Sequence, residues 1–349
     1  LQERVNSIQI VEEAIPRMGS LNSSRTFAGV MLYSAAAAAL VIGLILVIEY
    51  LDDTIRDPER AIQMLGVPIL GSIVKFGTRS PNYKDMLLVK FPPMSSVNES
   101  YRSARTNILH TFEKDKTGVL IITSANPQEG KTVTSSNMAI SMAMSGMRVI
   151  LIDADLRRPK VHEAFSLENK IGLTTLLFAD PDQTSDDDTE GVEFANLPKG
   201  FSQCVQDSGI DKLSILTSGF IPSNPTELLA STAMAKLIKA MCESPDIDLI
   251  IIDSPPALAA ADSAVLASNV GAQVVLVIDT GNTRIGAAKR AKAQFTQLNI
   301  SLTGLIMNRV DHRSDHYGYY YGYYYSSDDN SEPTPKGLRA LLKRNKARV

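Results

Sequence analysis

Cysteine is nearly absent from this chain: Cys204 and Cys242 are the only two in 349 residues, with no C-x-x-C pair and no neighbouring histidines. A disulfide framework and a cysteine-based metal site are therefore not expected, and most of the chain fits a reducing compartment. A clustered basic face is missing too. The formal net charge is −3 and the main run of Lys and Arg comes at the very end, so no nucleic-acid partner is expected. No short basic region stands directly before the first apolar run, which argues against a secretory signal. The chain opens on Leu rather than Met, and an upstream portion is expected.

Charge is absent altogether from Phe27 to Ile48, 22 residues reading FAGVMLYSAAAAALVIGLILVI. At about 1.5 Å rise per residue this matches the roughly 30 Å hydrocarbon thickness of a bilayer. Core helices of that length rarely lack charge. A transmembrane helix is expected over 27–48, with an extracytoplasmic stub over 1–26. Arg17 and Arg25 before the span balance Arg56 and Arg60 after it, so the positive-inside rule does not choose an orientation.

The chain as a whole is globular in composition, with 44% hydrophobic and 21% charged residues. Residues 49–97 read as a juxtamembrane connector and linker: a helical stretch with Pro58 near its start, a strand-like exit after Pro68, then a Gly-, Pro-, Ser- and Asn-containing excursion over 75–96. A helix is expected from Asn98 to about Phe112. Strands are expected over 119–123, 148–152, 213–217, 248–252, 273–278 and 302–307, and helices over 130–145, 226–242 and 283–298. Alternating strand and helix, with near-continuous apolar strands such as IIIDSP and VVLVID, predicts an α/β fold with a mostly parallel sheet covered on both faces. The acidic stretch DPDQTSDDDTE at 180–190 lacks the spaced ligands and turn glycine of a calcium loop and reads as a solvated insertion.

The strongest site is SANPQEGKTV. A strand ends at Thr123, a loop runs to Glu129, and Gly130-Lys131-Thr132 opens a helix. In such a P-loop, backbone N–H groups and the helix N-terminus face phosphates, the Lys131 ammonium reaches the β/γ oxygens, and the Thr132 hydroxyl ligates magnesium. Asn126, Pro127, Gln128, Glu129, Gly130, Lys131, Thr132 and Val133 are the candidate nucleotide-binding residues. Ala125 replaces the first glycine of G-x-x-x-x-G-K-[ST]. Asp153 and Asp155 follow one apolar strand and Asp253 follows another. Because parallel strands share one C-terminal edge, the three carboxylates converge on the phosphate loop, where Mg2+ takes a few oxygen ligands plus water.

These segments resemble the bacterial tyrosine kinases. Residues 125–132 look like their Walker A motif with its P-x-E-G-K-T ending, 149–157 match the apolar D-x-D-x-R pattern of Walker A′, and 249–256 match the D-S-P-P pattern of Walker B. Related MinD/ParA-type ATPases usually carry a second early lysine, which Ala125, Asn126 and Pro127 do not supply. The resemblance implies a P-loop NTPase fold of MinD/ParA type over 98–312, ATP and Mg2+ as cofactors, and Asp153 as proton acceptor. It leaves Thr132, Asp155 and Asp253 to hold the metal directly or through water, and makes Asn308, in Asn308-Arg309-Val310, an adenine contact. Glu99, Arg102 and Arg105 match E-x-x-R-x-x-R, which in that family makes contacts between subunits of a ring, an octamer by resemblance. Intrahelical pairing alone also explains that spacing. The span with LDDTIRDPE and GVPILGSI is similar to the second transmembrane helix and connector of Wzc-like polysaccharide co-polymerases. That similarity implies an inner-membrane location, a missing first helix and external domain, and an outer-membrane polysaccharide export protein and a cognate tyrosine phosphatase as partners. Cytoplasmic ATP would set the C-terminal bulk inside.

Seven of the eleven tyrosines lie in one run, Tyr317, Tyr319, Tyr320, Tyr321, Tyr323, Tyr324 and Tyr325, broken only by Gly318 and Gly322. On a flexible tail over 313–349 with a basic C-terminus, they are the expected phosphoacceptors of an autokinase coupled to capsular or exopolysaccharide synthesis and export. A Tyr/Gly adhesive segment is the competing reading of the run. For the whole chain, the alternatives are a MinD/ParA-like ATPase switch without tyrosine transfer and a non-catalytic chain-length scaffold.

Overall fold

The computed structural model describes residues 23–77, 82–113, 116–178, 197 and 200–311. Two compact units divide the chain between Asp53 and Thr54. The first contains helix α1, Ser23–Leu51. Its Phe27–Tyr50 window has a mean hydropathy of 2.5 and no buried share, so the helix is long and apolar enough to cross a membrane.

The second unit is built on one eight-stranded sheet. Its strands are β1 (Ile69–Val74), β2 (Gly118–Ser124), β3 (Val149–Asp153), β4 (Val205–Asp207), β5 (Leu213–Leu216), β6 (Leu249–Asp253), β7 (Gln273–Asp279) and β8 (Leu302–Val310). They lie in the order β1-β8-β7-β2-β6-β3-β5-β4, and every pairing is parallel except β4 with β5. Successive residues of the central strands divide between two cores: Ile121, Ile150, Ile152, Ile250 and Ile252 face one, while Leu120, Ile122, Leu151, Leu249 and Ile251 face the other. This is why those strands are apolar without alternation.

Helices α2 (Pro58–Leu65), α6 (Leu173–Phe178), α7 (Phe201–Cys204), α8 (Pro225–Leu229), α9 (Thr232–Glu243), α10 (Asp262–Val270) and α11 (Ile285–Gln297) contribute buried side chains to the first core. Helices α3 (Ser96–Leu109), α4 (Lys131–Ala143) and α5 (Val161–Phe165) contribute to the second. The fold class expected from the sequence is the one observed. The single helix expected over 226–242 is broken into α8 and α9, because Ser231 caps a new start by accepting the Met234 N–H at 3.2 Å.

The segment expected to be a connector, 49–97, does more than connect. It supplies α2 and the edge strand β1, which pairs with β8 with Gly71 opposite Ile306. Gly71 lies so close under α3 that a Cβ there would collide with the Cβ of Ala104. Upstream, the Ile55 N–H donates to the Thr283 carbonyl and the Gly281 N–H to the Ile55 carbonyl, both at 2.8 Å, with Ile55 fully buried. The sheet therefore starts well before residue 98.

Gly71→Val is expected to cost about 2 kcal/mol of stability by overpacking. Urea titration of the detergent-solubilised chain checks this. A change within about 0.5 kcal/mol would contradict the close packing of β1 on α3.

Candidate active site

Sheet register assembles the site. Asp253 closes β6 between two neighbours, opposite Ile122 of β2 on one side and opposite Asp153 of β3 on the other. The loop after β2 and both aspartate-bearing strand ends thus lie at one edge, as expected for a parallel sheet.

The loop is held from within. Glu129 is buried, and its carboxylate accepts the Asn126 backbone N–H and the Asn126 Nδ2, both at 2.9 Å, together with the Thr283 hydroxyl at 2.8 Å. Burial pushes the Glu129 carboxyl up, against those hydrogen bonds. Gln128 and Gly130 both take left-handed backbone, with φ of 66° and 92°. Gly130 is the N-cap of α4 with no side-chain cap bond, so the helix opens with N–H groups directed at the edge and no internal partner. Beneath it, Asn308 Nδ2 donates to the Glu129 carbonyl at 2.9 Å and occupies the place any Cβ at Gly130 would need.

The charged centre is buried. Lys131 Nζ lies 2.7 Å from Asp155 Oδ2 and 3.5 Å from Asp253 Oδ2. Burial works against its charge, but Asp253 and Asp155 outweigh it and raise the Lys131 pKa. Asp253 is fully buried and accepts the Thr132 hydroxyl at 2.7 Å and the Ser135 hydroxyl at 3.0 Å. Burial raises its pKa, against the pull of Lys131. Asp153 is also fully buried. Its Oδ1 accepts the Asp155 N–H at 3.2 Å, and its Oδ2 accepts the N–H groups of Lys160 at 3.1 Å and Val161 at 3.0 Å. Burial and then the charge of Asp253 push it up to about 7.

A cavity of about 680 Å³ opens on this edge, a volume typical of small-molecule sites. Of the residues expected to bind nucleotide, Pro127, Gln128, Gly130, Lys131, Thr132, Val133 and Asn308 line it, as does Asp155. Asn126 and Glu129 do not, because they bond to each other. Asp153 and Asp253 stand behind the lining. Ten lining residues are not among the expected site residues: Phe76, Tyr83 and Met86 from the connector, Arg157, Arg158 and Lys160 after β3, Pro255, Pro256 and Ala259 after β6, and Arg309. Arg157 donates to Asp262 Oδ2 at 2.7 Å and to the Thr226 hydroxyl at 3.1 Å, tying the lining to α8 and α10. The DADLRRP segment carried the signal for the arginines, whereas nothing in the connector marked its aromatics.

Unsatisfied N–H groups at the start of α4, with Lys131 beside them, fit a polyphosphate. The hydroxyl of Thr132 and the carboxylates of Asp155 and Asp253 are a hard oxygen set suited to Mg2+. Among the described residues no three His, Cys, Asp or Glu side chains form a metal cage by themselves, which suits an ion that keeps waters and shares phosphate oxygens.

On α3, Glu99 pairs with Arg102 at 3.2 Å on the exposed side. Arg105 turns away and donates to the Ser141 carbonyl near the end of α4 at 2.7 Å. Glu99 and Arg102 remain within electrostatic reach of Arg105 along α3. The tyrosine run and the acidic stretch lie outside the described residues.

A family model described as ParA, NUBPL iron-transfer P-loop NTPase, matches residues 116–332. Tyrosine-protein kinase YwqD of Bacillus subtilis (strain 168) is 41% identical over 216 residues, covering 62% of this chain and 82% of that protein. Tyrosine-protein kinase etk of Escherichia coli (strain K12) is 32% identical over 218 residues, again 62% of this chain, but only 27% of its own length. The chimerical protein CapA2B2 has a solved structure similar over 73% of this chain and all of its own, at 30% identity and a TM-score of 0.61.

The raised carboxylates set a pH dependence. Asp153, Asp253, Glu129 and Asp279 all hold protons more tightly when folded. Their stabilising contribution is complete below the ordinary carboxylate range and is lost as pH rises through the folded values, for Asp153 through about 7. Thermal melts from pH 4 to 8 should show Asp153→Asn flattening that fall. An unchanged slope would contradict the raised value.

Proposed function

The chain belongs to the bacterial tyrosine kinases, with their P-loop NTPase fold, and we propose that it transfers the γ-phosphate of ATP to its own tyrosine run, Tyr317 to Tyr325, between subunits of a homo-oligomeric ring. The observation that carries this reading is the placement of Lys131, Thr132 and Asp155 on a cavity shared with Asn308. Asn308 lies near the end of β8, from which 9 to 17 further residues lead to the tyrosines. At ~3.3 Å per residue that gives a reach of roughly 30 to 55 Å.

In this mechanism the N–H groups opening α4, Lys131 and Thr132 hold the triphosphate of ATP, while Phe76, Tyr83, Met86 and Asn308 offer the cavity its less charged wall for the base. Thr132, Asp155 and Asp253 would hold Mg2+, which when bound would neutralise charge on the transferring phosphate. The acceptor phenol oxygen bonds to the γ-phosphorus as the bond from that phosphorus to the β–γ bridging oxygen breaks. ADP keeps that oxygen, and the phenol proton passes to a carboxylate.

Asp153 is the proposed acceptor of that proton, since a base working at neutral pH is best tuned near 7. Its oxygens already accept backbone N–H groups, whereas Asp155 faces the cavity, and this favours Asp155 as the second reading. Each phosphate adds about −1.5 to −2 charges, so a phosphorylated run beside Asp328, Asp329 and Glu332 repels itself and its neighbours. Loosening of the ring by that charge would regulate capsular or exopolysaccharide synthesis and export. In this reading α1 anchors the chain in the bacterial inner membrane with the kinase unit in the cytoplasm. An outer-membrane export protein and a tyrosine phosphatase are the proposed partners.

The ParA family match supports a second class of function, a nucleotide switch. Incubation with γ-labelled ATP separates the two: label in Tyr317–Tyr325 that disappears in Lys131→Ala supports the kinase, and free phosphate without labelled protein supports the switch. Asp153→Asn should lower the transfer rate at least a hundredfold and remove the rise in rate near pH 7. If Asp155→Asn removes that rise and Asp153→Asn leaves it in place, Asp155 is the base.

A further inference from the structure

At the end of α6 and in the loop after β5 the structure exposes a set of large apolar side chains on hydrogen-bonded backbone. Phe178 at the end of α6 is 60% exposed, and Phe220 and Ile221, in the loop after β5, are 47% and 63% exposed. The two phenylalanine rings lie 5.5 Å apart between centroids and are tilted by 31°. The backbone under them is well fixed. The Leu173 and Thr174 N–H groups donate to the carbonyls of Thr217 and Ser218 at 2.8 and 2.9 Å, and Asn169 Oδ1 accepts the Gly219 N–H at 2.9 Å. A firm aromatic pair kept in water marks a surface that something else covers.

Three observations select the occupant. The same loop leads to Thr226, whose hydroxyl accepts from the cavity-lining Arg157, so the loop that carries the patch is tied to the cavity lining. The strand ends involved are neighbours, with β5 next to β3 and β3 next to β6. At ~4.8 Å per strand the patch lies roughly 10 to 15 Å from the phosphate edge, a distance crossed by three to five extended residues. Finally, the chain leaves β8 on that edge, five strand positions or roughly 24 Å from β5, and at ~3.3 Å per residue the run spans that distance from Tyr319 onward, eight residues after Asp311.

We infer that the patch formed by Phe178, Phe220 and Ile221 is a docking site for the Tyr317–Tyr325 run, which holds one tyrosine of the run while another enters the cavity. This rests on the run being the acceptor. Aromatic rings spaced along an extended segment suit a tilted phenylalanine pair, and the acidic flank at Asp328 and Asp329 suits Arg158 and Lys160 on the cavity rim. The glycines at 318 and 322 let the segment bend between the two points.

The test uses the full chain in detergent. With Phe220→p-benzoylphenylalanine, irradiation should crosslink the patch to peptides within 313–332. Crosslinks to 179–199, crosslinks to the folded unit of a second copy, or none at all would overturn the inference. Separately, the double variant Phe178→Ser with Phe220→Ser should slow labelling of the run about tenfold, with ATP affinity, melting temperature and oligomer mass unchanged. Labelling at the original rate overturns the inference, as does slower labelling with an altered oligomer mass, which would make the patch a contact between copies. Should the unaltered chain label no tyrosine of the run, the kinase reading fails on its own account, and the crosslink still reports whether the run sits on the patch.

Discussion

The buried carboxylate of Asp253 is the constraint around which the site is arranged. A carboxylate with no exposure at the end of a central strand is strongly penalised unless its oxygens are engaged. Here Thr132, Ser135 and Lys131 all approach it, which fixes the first turn of α4 relative to β6. Asp155 shares the same ammonium, and Asp153 lies opposite in the sheet. Three acidic groups in one buried place repel one another, and that repulsion is what suits the site to a divalent cation and a polyphosphate together.

Much of this was legible in the chain because local pattern and tertiary placement agree. The six expected strands are all present, since β-branched runs buried on two faces need no alternation to be recognised. The aspartates were placed from one topological fact, that parallel strands share an edge. Membership of the tyrosine kinases followed from the same segments.

The rest depends on distant partners that composition does not reveal. Strand β1 reads only as a strand-like exit from the connector until β8 is beside it, and Phe76, Tyr83 and Met86 line the cavity next to that docked segment. Glu129 looked like a phosphate-loop ligand, yet its nearest hydroxyl is Thr283, over a hundred and fifty residues away. Helix α10, with the sequence DSAVLASNV, is made largely of small residues and gives a weak periodic signal. Arg105 shares a spacing with Glu99 and Arg102, but its hydrogen bond to the carbonyl of Ser141 is a contact the spacing does not announce.

Strand β8 lies two places from β2, and its Asn308 supports the floor of the phosphate loop. Whatever the chain carries after Val310 is therefore covalently rooted at the place where nucleotide would bind. For the proposed acceptors this changes the kinetic order of the reaction. Once subunits are assembled in the proposed ring, a phenol confined by a short tether is present at its neighbour's site at an effective concentration on the order of millimolar. Within that assembly phosphate transfer responds to geometry and nucleotide occupancy, and a free tyrosine substrate would have to compete against that built-in excess.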